Sequence, residues 1–232
     1  MAINVDTVYR TVLLIINKEQ RGYLTPDEFN KTATQVQLEI FNEYFEDLNQ
    51  QLRVPENDSE YANRVKNLQE KIEIFQEDGV CAPESDHYTT TALTDFYKLG
   101  TVIYKDDKIV QYVQPNELLE LNLSPLTKPS LYWPVYTYKN ERIYVYPRTI
   151  TGNVISCTYI RKPLNPVWNF TIGTNYQYVY NSTTSVDFEL HPIEQTNLIT
   201  RILLYSGIVI KDPQIIQIAA QHAQAENINS KS

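Results

Sequence analysis

The sequence predicts an α+β protein in which both chain ends build one antiparallel helix bundle, and an antiparallel, sandwich-like β-rich domain is inserted between them. Three observations lead there. Apolar residues recur at three- and four-residue spacing near both ends, which is the helical period. The stretch between shows two-residue alternation punctuated by prolines. That middle stretch also carries most of the 18 tyrosines, a residue favoured in strands. The predicted boundaries are residues 1–85 and 191–232 for the helical domain and 86–190 for the insertion.

Val5, Val8, Tyr9, Val12 and Ile16 set the period of a first helix over residues 3–18, ending at Gly22, with Leu13 and Ile15 widening its apolar face. The next start is sharply marked: Thr25 caps, Pro26 fits the first helical position, and Glu28 completes a T-x-x-E capping box. Phe29, Ala33, Val36, Ile40, Tyr44, Leu48 and Leu52 then lie along one side, so this helix runs to about Leu52, and Phe41 and Phe45 broaden that side. Pro55 and Glu56-Asn57-Asp58 break it. Ser59 caps a third helix with Tyr61, Val65, Leu68, Ile72 and Phe75 along its seam, closed by Asp78-Gly79. Near the other end His191-Pro192 opens a helix striped by Leu198, Ile199, Ile202, Leu203 and Tyr205 and stopped by Gly207. Asp212-Pro213 opens a last, Ala-rich helix carrying Ile215 and Ile218.

In the insertion, runs 101–104 and 108–113 flank Lys105-Asp106-Asp107 as a hairpin, and Gln114-Pro115-Asn116-Glu117 starts a short helix through about Leu121. Runs 131–138, 142–146 and 154–161 then read as a three-strand meander. Alternation in Arg142–Tyr146 puts Ile143 and Val145 on one face and Tyr144 and Tyr146 on the other. Tyr176, Tyr178 and Tyr180 repeat the pattern. Such tyrosine rows serve either as half-buried sheet residues or as contacts to protein partners, since tyrosine is enriched at interfaces.

Composition narrows the function classes. The content of 42% hydrophobic and 21% charged residues is that of a folded chain. A net charge of −8 argues against a protein that grips phosphate backbones, though an acidic wall lets DNA slide past without sticking. No apolar run approaches the roughly 20 residues that span a bilayer, and Val12–Ile16 lacks the flanks of a signal peptide. Synthesis and folding in a cytoplasm are therefore expected. Cys81 and Cys157 form neither a disulfide framework nor a zinc pattern and are expected to be reduced.

Phosphate-loop, dinucleotide, nucleophile-elbow and zincin motifs are missing, so no catalytic, cofactor or metal residue is assigned. His87, His191 and His222 read as structural residues. The acidic pairs Glu46-Asp47, Glu84 with Asp86, and Asp106-Asp107 read as solvated faces or turns, and Asp95 with Asp106-Asp107 lacks the spacing of an EF-hand.

The run Asn17-Lys18-Glu19-Gln20-Arg21-Gly22-Tyr23-Leu24-Thr25-Pro26-Asp27-Glu28-Phe29-Asn30 resembles virion structural proteins of crAss-like and related short-tailed bacteriophages. Asp187–Gln195, Ile202–Ile208 and Lys211-Asp212-Pro213 resemble the end of the same proteins, while Tyr144–Pro147 and Tyr159–Pro163 are similar in style. The resemblance implies a ring protein of the head-to-tail connector or tail barrel, similar to the adaptor or tail-tubular proteins below the portal. Such adaptors combine a helix bundle with a β domain in twelve-fold rings. It implies a homo-oligomer with portal and other tail proteins as partners, DNA passing through the lumen without specific binding, and no membrane anchor. The location would be the virion neck or tail, after synthesis in the host bacterial cytoplasm.

A ring that closes heterologously uses different faces of one subunit against the next. The expected inter-subunit contacts are Arg21, Tyr23, Tyr144, Tyr146, Ile215 and Ile218. Two rival classes stand beside this reading. One is a tail-associated receptor- or carbohydrate-binding protein using the Tyr-rich β domain as a platform. The other is a virion hydrolase, for which the sequence offers no paired acids.

Overall fold

The computed structural model describes residues 2–18, 23–53, 59–105, 107–209 and 221. Three helices come first: α1 (Val5–Lys18), α2 (Pro26–Arg53) and α3 (Ser59–Glu73). Eight strands and one helix follow, as β1 (Gln76–Val80), β2 (Ala82–Pro83), β3 (Tyr88–Thr89), β4 (Phe96–Tyr104), β5 (Lys108–Tyr112), α4 (Pro115–Leu123), β6 (Val135–Lys139), β7 (Arg142–Tyr146) and β8 (Ile155–Arg161). The chain then makes β9 (Phe170–Ile172), β10 (Tyr178–Tyr180), a 3-10 turn at Pro192–Glu194, and α5 (Gln195–Val209). The protein is therefore mixed α+β. Its compact units are Met1–Ile74 with Pro163–Ser232, and Phe75–Lys162.

In the first unit, local chemistry starts α1 and α2. Asn4 Oδ1 accepts from Thr7 N–H at 3.0 Å, and Asp187 Oδ1 accepts from Val5 N–H at 2.8 Å, so two carbonyl-type oxygens satisfy the first turn of α1. At α2 the capping box forms: Glu28 N–H donates to Thr25 Oγ1 at 3.3 Å and Thr25 N–H donates to Glu28 Oε2 at 2.9 Å. Such a cap is worth about 1 kcal/mol. Val8, Val12, Ile16, Phe29, Ala33, Val36 and Ile40 are all buried, as their spacing requires. Leu198 and Ile202 bury the matching stripe of α5, which packs on α1 and α2. Gly207 does not stop α5: the helix continues to Val209, and Ser206 Oγ donates to the Ile202 carbonyl within it.

The chain from Pro163 to Leu190 belongs with this unit, not with the β insertion as the 86–190 boundary had it. The reason is a pair of amides seven residues apart on α2. Asn30 accepts from Trp168 N–H at 2.8 Å and donates to its carbonyl at 3.3 Å. Gln37, only 1% exposed, donates to the Leu164 carbonyl at 2.7 Å and accepts from Glu189 N–H at 3.1 Å. The helix thus presents side-chain amides as a substitute strand edge, which meets the demand of buried backbone for partners. Two bridges complete the wrapping, Ile3 with Phe188 and Val167 with Val186.

A polar chain crosses the helices of the same unit. Lys71 of α3 meets Glu194 at 2.5 Å, Glu194 accepts from Asn197 at 3.2 Å, and Arg201 donates to Asn197 Oδ1 at 2.7 Å. Arg201 then forks onto Glu43 of α2 at 2.7 and 2.6 Å, a bidentate geometry suited to guanidinium. Tyr205 donates to Glu39 beside it.

The second unit is one eight-stranded sheet in the order β1-β8-β4-β5-β6-β7-β3-β2, not two packed sheets. All neighbours are antiparallel except β5 and β6, whose parallel pairing is made possible by the long crossover through α4. Val102, Tyr104, Val110, Tyr136, Ile143, Val145, Ile155 and Cys157, from strands β4 to β8, meet in one core cluster. Lys105, with φ 51°, turns the predicted hairpin, and Val102 opposes Val110 across it.

Two expectations fail here. Residues 76–80 are a strand, not the closing turn of a helix, because Glu77 binds Arg161 at 2.7 Å and Tyr159 Oη at 3.0 Å across the β1–β8 ladder. The meander also breaks after β7, since β8 lies between β1 and β4. Residues 147–154, too long for a tight hairpin and bent at Gly152 (φ 84°), carry the chain away from β7. Phe75 accepts from Arg161 N–H at 2.9 Å, so the first and last strands of this unit run side by side. At the bulge in β4, a Cβ on Gly100 would fall 2.9 Å from the Thr158 carbonyl oxygen, which is why the position has no side chain.

Candidate functional site

The most exposed apolar surface of the β unit lies on α4 and the loop after it. Pro115 and Glu117, whose carboxylate accepts from Gln114 N–H at 3.0 Å, start α4 as the sequence predicts. Leu118 then packs on Val113 and Val135. Leu119 and Leu123, one turn apart, face the other way and remain in water. Leu126 is 96% exposed and Trp133 80% exposed, and Tyr132 is also open. The loop is held rather than loose. Trp133 N–H donates to the Ser130 carbonyl at 3.1 Å, Lys108 Nζ donates to the Leu131 carbonyl at 3.2 Å, and the same ammonium lies 4.9 Å from the Tyr132 ring centre. A fixed loop therefore offers large apolar side chains to solvent. Sequence reasoning missed this surface, because Leu118 and Leu119 are the same residue type and only the packing tells them apart.

A second surface lies in the helical unit. Trp168 is its buried floor, with Nε1 donating to Asp6 at 3.0 Å and its ring 4.4 Å from Tyr9 and 5.9 Å from Phe170 and Tyr180. Tyr176, Tyr178 and Tyr180 of the β9–β10 hairpin line a groove together with Tyr23 and Arg10. The groove encloses about 570 Å³. Tyr23, expected at an inter-subunit contact, is thus an exposed groove residue.

Tyr144 and Tyr146 occupy a third place, in the β unit. Both are half-buried on the face opposite Ile143 and Val145, as the alternation requires. The Arg148 guanidinium lies 5.4 Å from the Tyr144 ring centre and 4.6 Å from that of Tyr146, and donates to Tyr146 Oη at 3.0 Å. The Tyr144 ring also sits 5.5 Å from that of His87. His87 is buried in a 240 Å³ pocket, where Nδ1 meets Asp86 at 2.6 Å and Nε2 meets Glu84 at 3.2 Å. Hydrogen bonding from His87 holds the Asp86 carboxyl below its usual range.

The acids read as separate solvated groups therefore converge on one imidazole. With a carboxylate beside each ring nitrogen, the His87 imidazole is held between Asp86 and Glu84. The carboxylates approach from opposite sides, and among the described residues no three His, Cys, Asp or Glu side chains are arranged to hold a metal ion.

Arg21, Ile215 and Ile218 lie outside the described residues, as do His222, Asp106 and, apart from Gln221, the stretch where the last, Ala-rich helix is expected. Tyr23 belongs to the helical unit and Tyr144 and Tyr146 to the β unit. Among the described residues no helix is long and apolar enough to cross a membrane. No family model matches the chain, and no curated protein matches it.

Proposed function

We propose that the chain is a structural subunit of a ring in the head-to-tail connector or tail barrel of a short-tailed bacteriophage. In this reading about twelve copies, the count that the resemblance implies, enclose a DNA passage, with the portal protein or another ring as neighbour. The role needs no catalysis, cofactor or metal. The protein is made in the host cytoplasm and ends in the virion tail. The observation that carries the reading is the exposure of Leu119, Leu123, Leu126 and Trp133 on α4 and the loop after it, a loop held by Lys108 and Ser130. Large apolar side chains left in water, a tryptophan among them, are what a protein partner covers. In the assembled ring both chain ends would supply a helix bundle as a rigid stave, and the charge of −8 would suit a lumen that does not hold DNA.

The test is to express the full chain alone and together with the portal protein, and to follow assembly by mass photometry and negative-stain microscopy. Changing Leu123→Asp and Trp133→Asp together should weaken association about 100-fold, with the circular dichroism spectrum unchanged. Labelling the protein over the capsid shell instead of at the tail vertex would defeat the connector reading.

The aromatic groove favours a second reading, a tail-associated receptor- or carbohydrate-binding protein. Exposed tyrosine faces beside Arg10 and Gln177 offer stacking and hydrogen bonding to a sugar ring. Tyr176, 89% exposed, is the residue to test. On a glycan array Tyr176→Ala should reduce any bound signal about tenfold, and an array with no signal for the unaltered protein removes this reading.

A further inference from the structure

The two cysteines are 76 residues apart in sequence, yet they meet in the core of the β unit. Cys81 follows β1, and its N–H donates to the Ile155 carbonyl at 3.0 Å. Two residues further along β8, Cys157 stands opposite Gly79 of β1 and Val102 of β4. This arrangement brings the Sγ atoms to 3.1 Å, with both side chains buried and both thiols free. About 1 Å of approach separates that contact from a covalent bond of roughly 2 Å. We propose that Cys81 and Cys157 form an oxidisable pair, which hydrogen peroxide converts to an intramolecular disulfide and a thiol reductant restores.

The Cys81 S–H points at Cys157 Sγ, so the two sulfurs share one hydrogen bond. Cys157, the acceptor of that bond, is taken as the attacking sulfur, an assignment that the Cys81→Ser variant checks. Its thiolate takes one oxygen of the peroxide, the O–O bond breaks, and the departing hydroxide takes up a proton to become water. Cys81, losing its proton, then attacks the resulting sulfenic acid and expels its oxygen as a second water. Two thiols and one peroxide thus give one disulfide and two waters; sulfur is oxidised and the peroxide reduced. Because both sulfurs are buried, the reaction waits on local opening of the sheet and is slow. The product fastens the end of β1 to β8 and closes a long loop, which restricts the unfolded chain.

This inference stands apart from the assembly reading. Its test uses the full-length protein, treated with hydrogen peroxide, quenched with catalase, then unfolded in the presence of iodoacetamide and weighed intact. The expected product takes up no alkyl group, weighs two hydrogens less than the reduced chain, yields a peptide linking Cys81 to Cys157, and reverts with dithiothreitol. Its melting temperature rises by several degrees over the reduced form. With Cys81→Ser, oxidation should stop at a sulfenic acid on Cys157 that dimedone traps. Two alkylated cysteines after prolonged treatment, a sulfinic acid in place of the crosslink, or a disulfide between two chains would each overturn the proposal. Should the serine variant fail to fold, the mass of the unaltered protein decides by itself.

Discussion

Replacing Trp168 with alanine should lower the stability of the helical unit by about 4 kcal/mol, the usual cost of deleting a buried aromatic side chain. Its indole fills the space among Tyr9, Phe170 and Tyr180 and donates to Asp6, so α1 and the β9–β10 hairpin both lose their shared support. The chain has 2 tryptophans, and Trp133 is exposed. A Trp133→Phe background therefore leaves Trp168 as a single fluorescent reporter of this unit. Urea unfolding of Trp168→Ala followed by circular dichroism measures the loss; a change below about 1 kcal/mol would mean that the groove floor is dispensable.

The second large effect is expected at Arg201. Its guanidinium is nearly buried and bonded to Glu43 and Asn197, so Arg201→Met strips a carboxylate of its partner in a partly desolvated place. The expected cost is about 3 kcal/mol, at the lower end for a buried pair because part of the Glu43 side chain reaches water. Adding Glu43→Gln should return a good part of it, since the unpaired charge is then gone. Equal and additive losses in the two single variants would show that the pair does not act as a unit.

Local chemistry was legible in the sequence, and distant pairing was not. Thr25 with Glu28 marked the start of α2, and the spacing from Phe29 to Ile40 gave its buried side, because both signals lie within a few residues along the chain. The alternation of Ile143 and Val145 with Tyr144 and Tyr146 was equally readable. By contrast, Gln76–Val80 carries Glu77 and Asp78 and has no apolar alternation; it is a strand only because Arg161 and Tyr159 wait across the ladder. The same limit hid the contact of Cys81 with Cys157 and the amides of Asn30 and Gln37, which look like polar interruptions of a helix until the chain from 164 to 189 is laid beside them. At the candidate surfaces, residue type alone singled out Tyr23, which lines the groove, and Tyr144 and Tyr146, which lie beside Arg148. It did not single out Leu119 and Leu123, since exposure is a property of the neighbours.

The β unit begins at Phe75 and leaves at Lys162 through strands that pair with one another, Gln76 opposite Ile160. Seen from the helical host, its 88-residue span from 75 to 162 is a loop whose two ends are already closed by backbone hydrogen bonds. Closure entropy grows only slowly with loop length, so the host is nearly indifferent to what is carried between those ends. A substitution on the outer strands, or one that exchanges the exposed leucines for another surface, leaves that closure in place. The β1–β8 ladder is in this sense a socket, which holds the two ends of the carried segment together whatever lies between them.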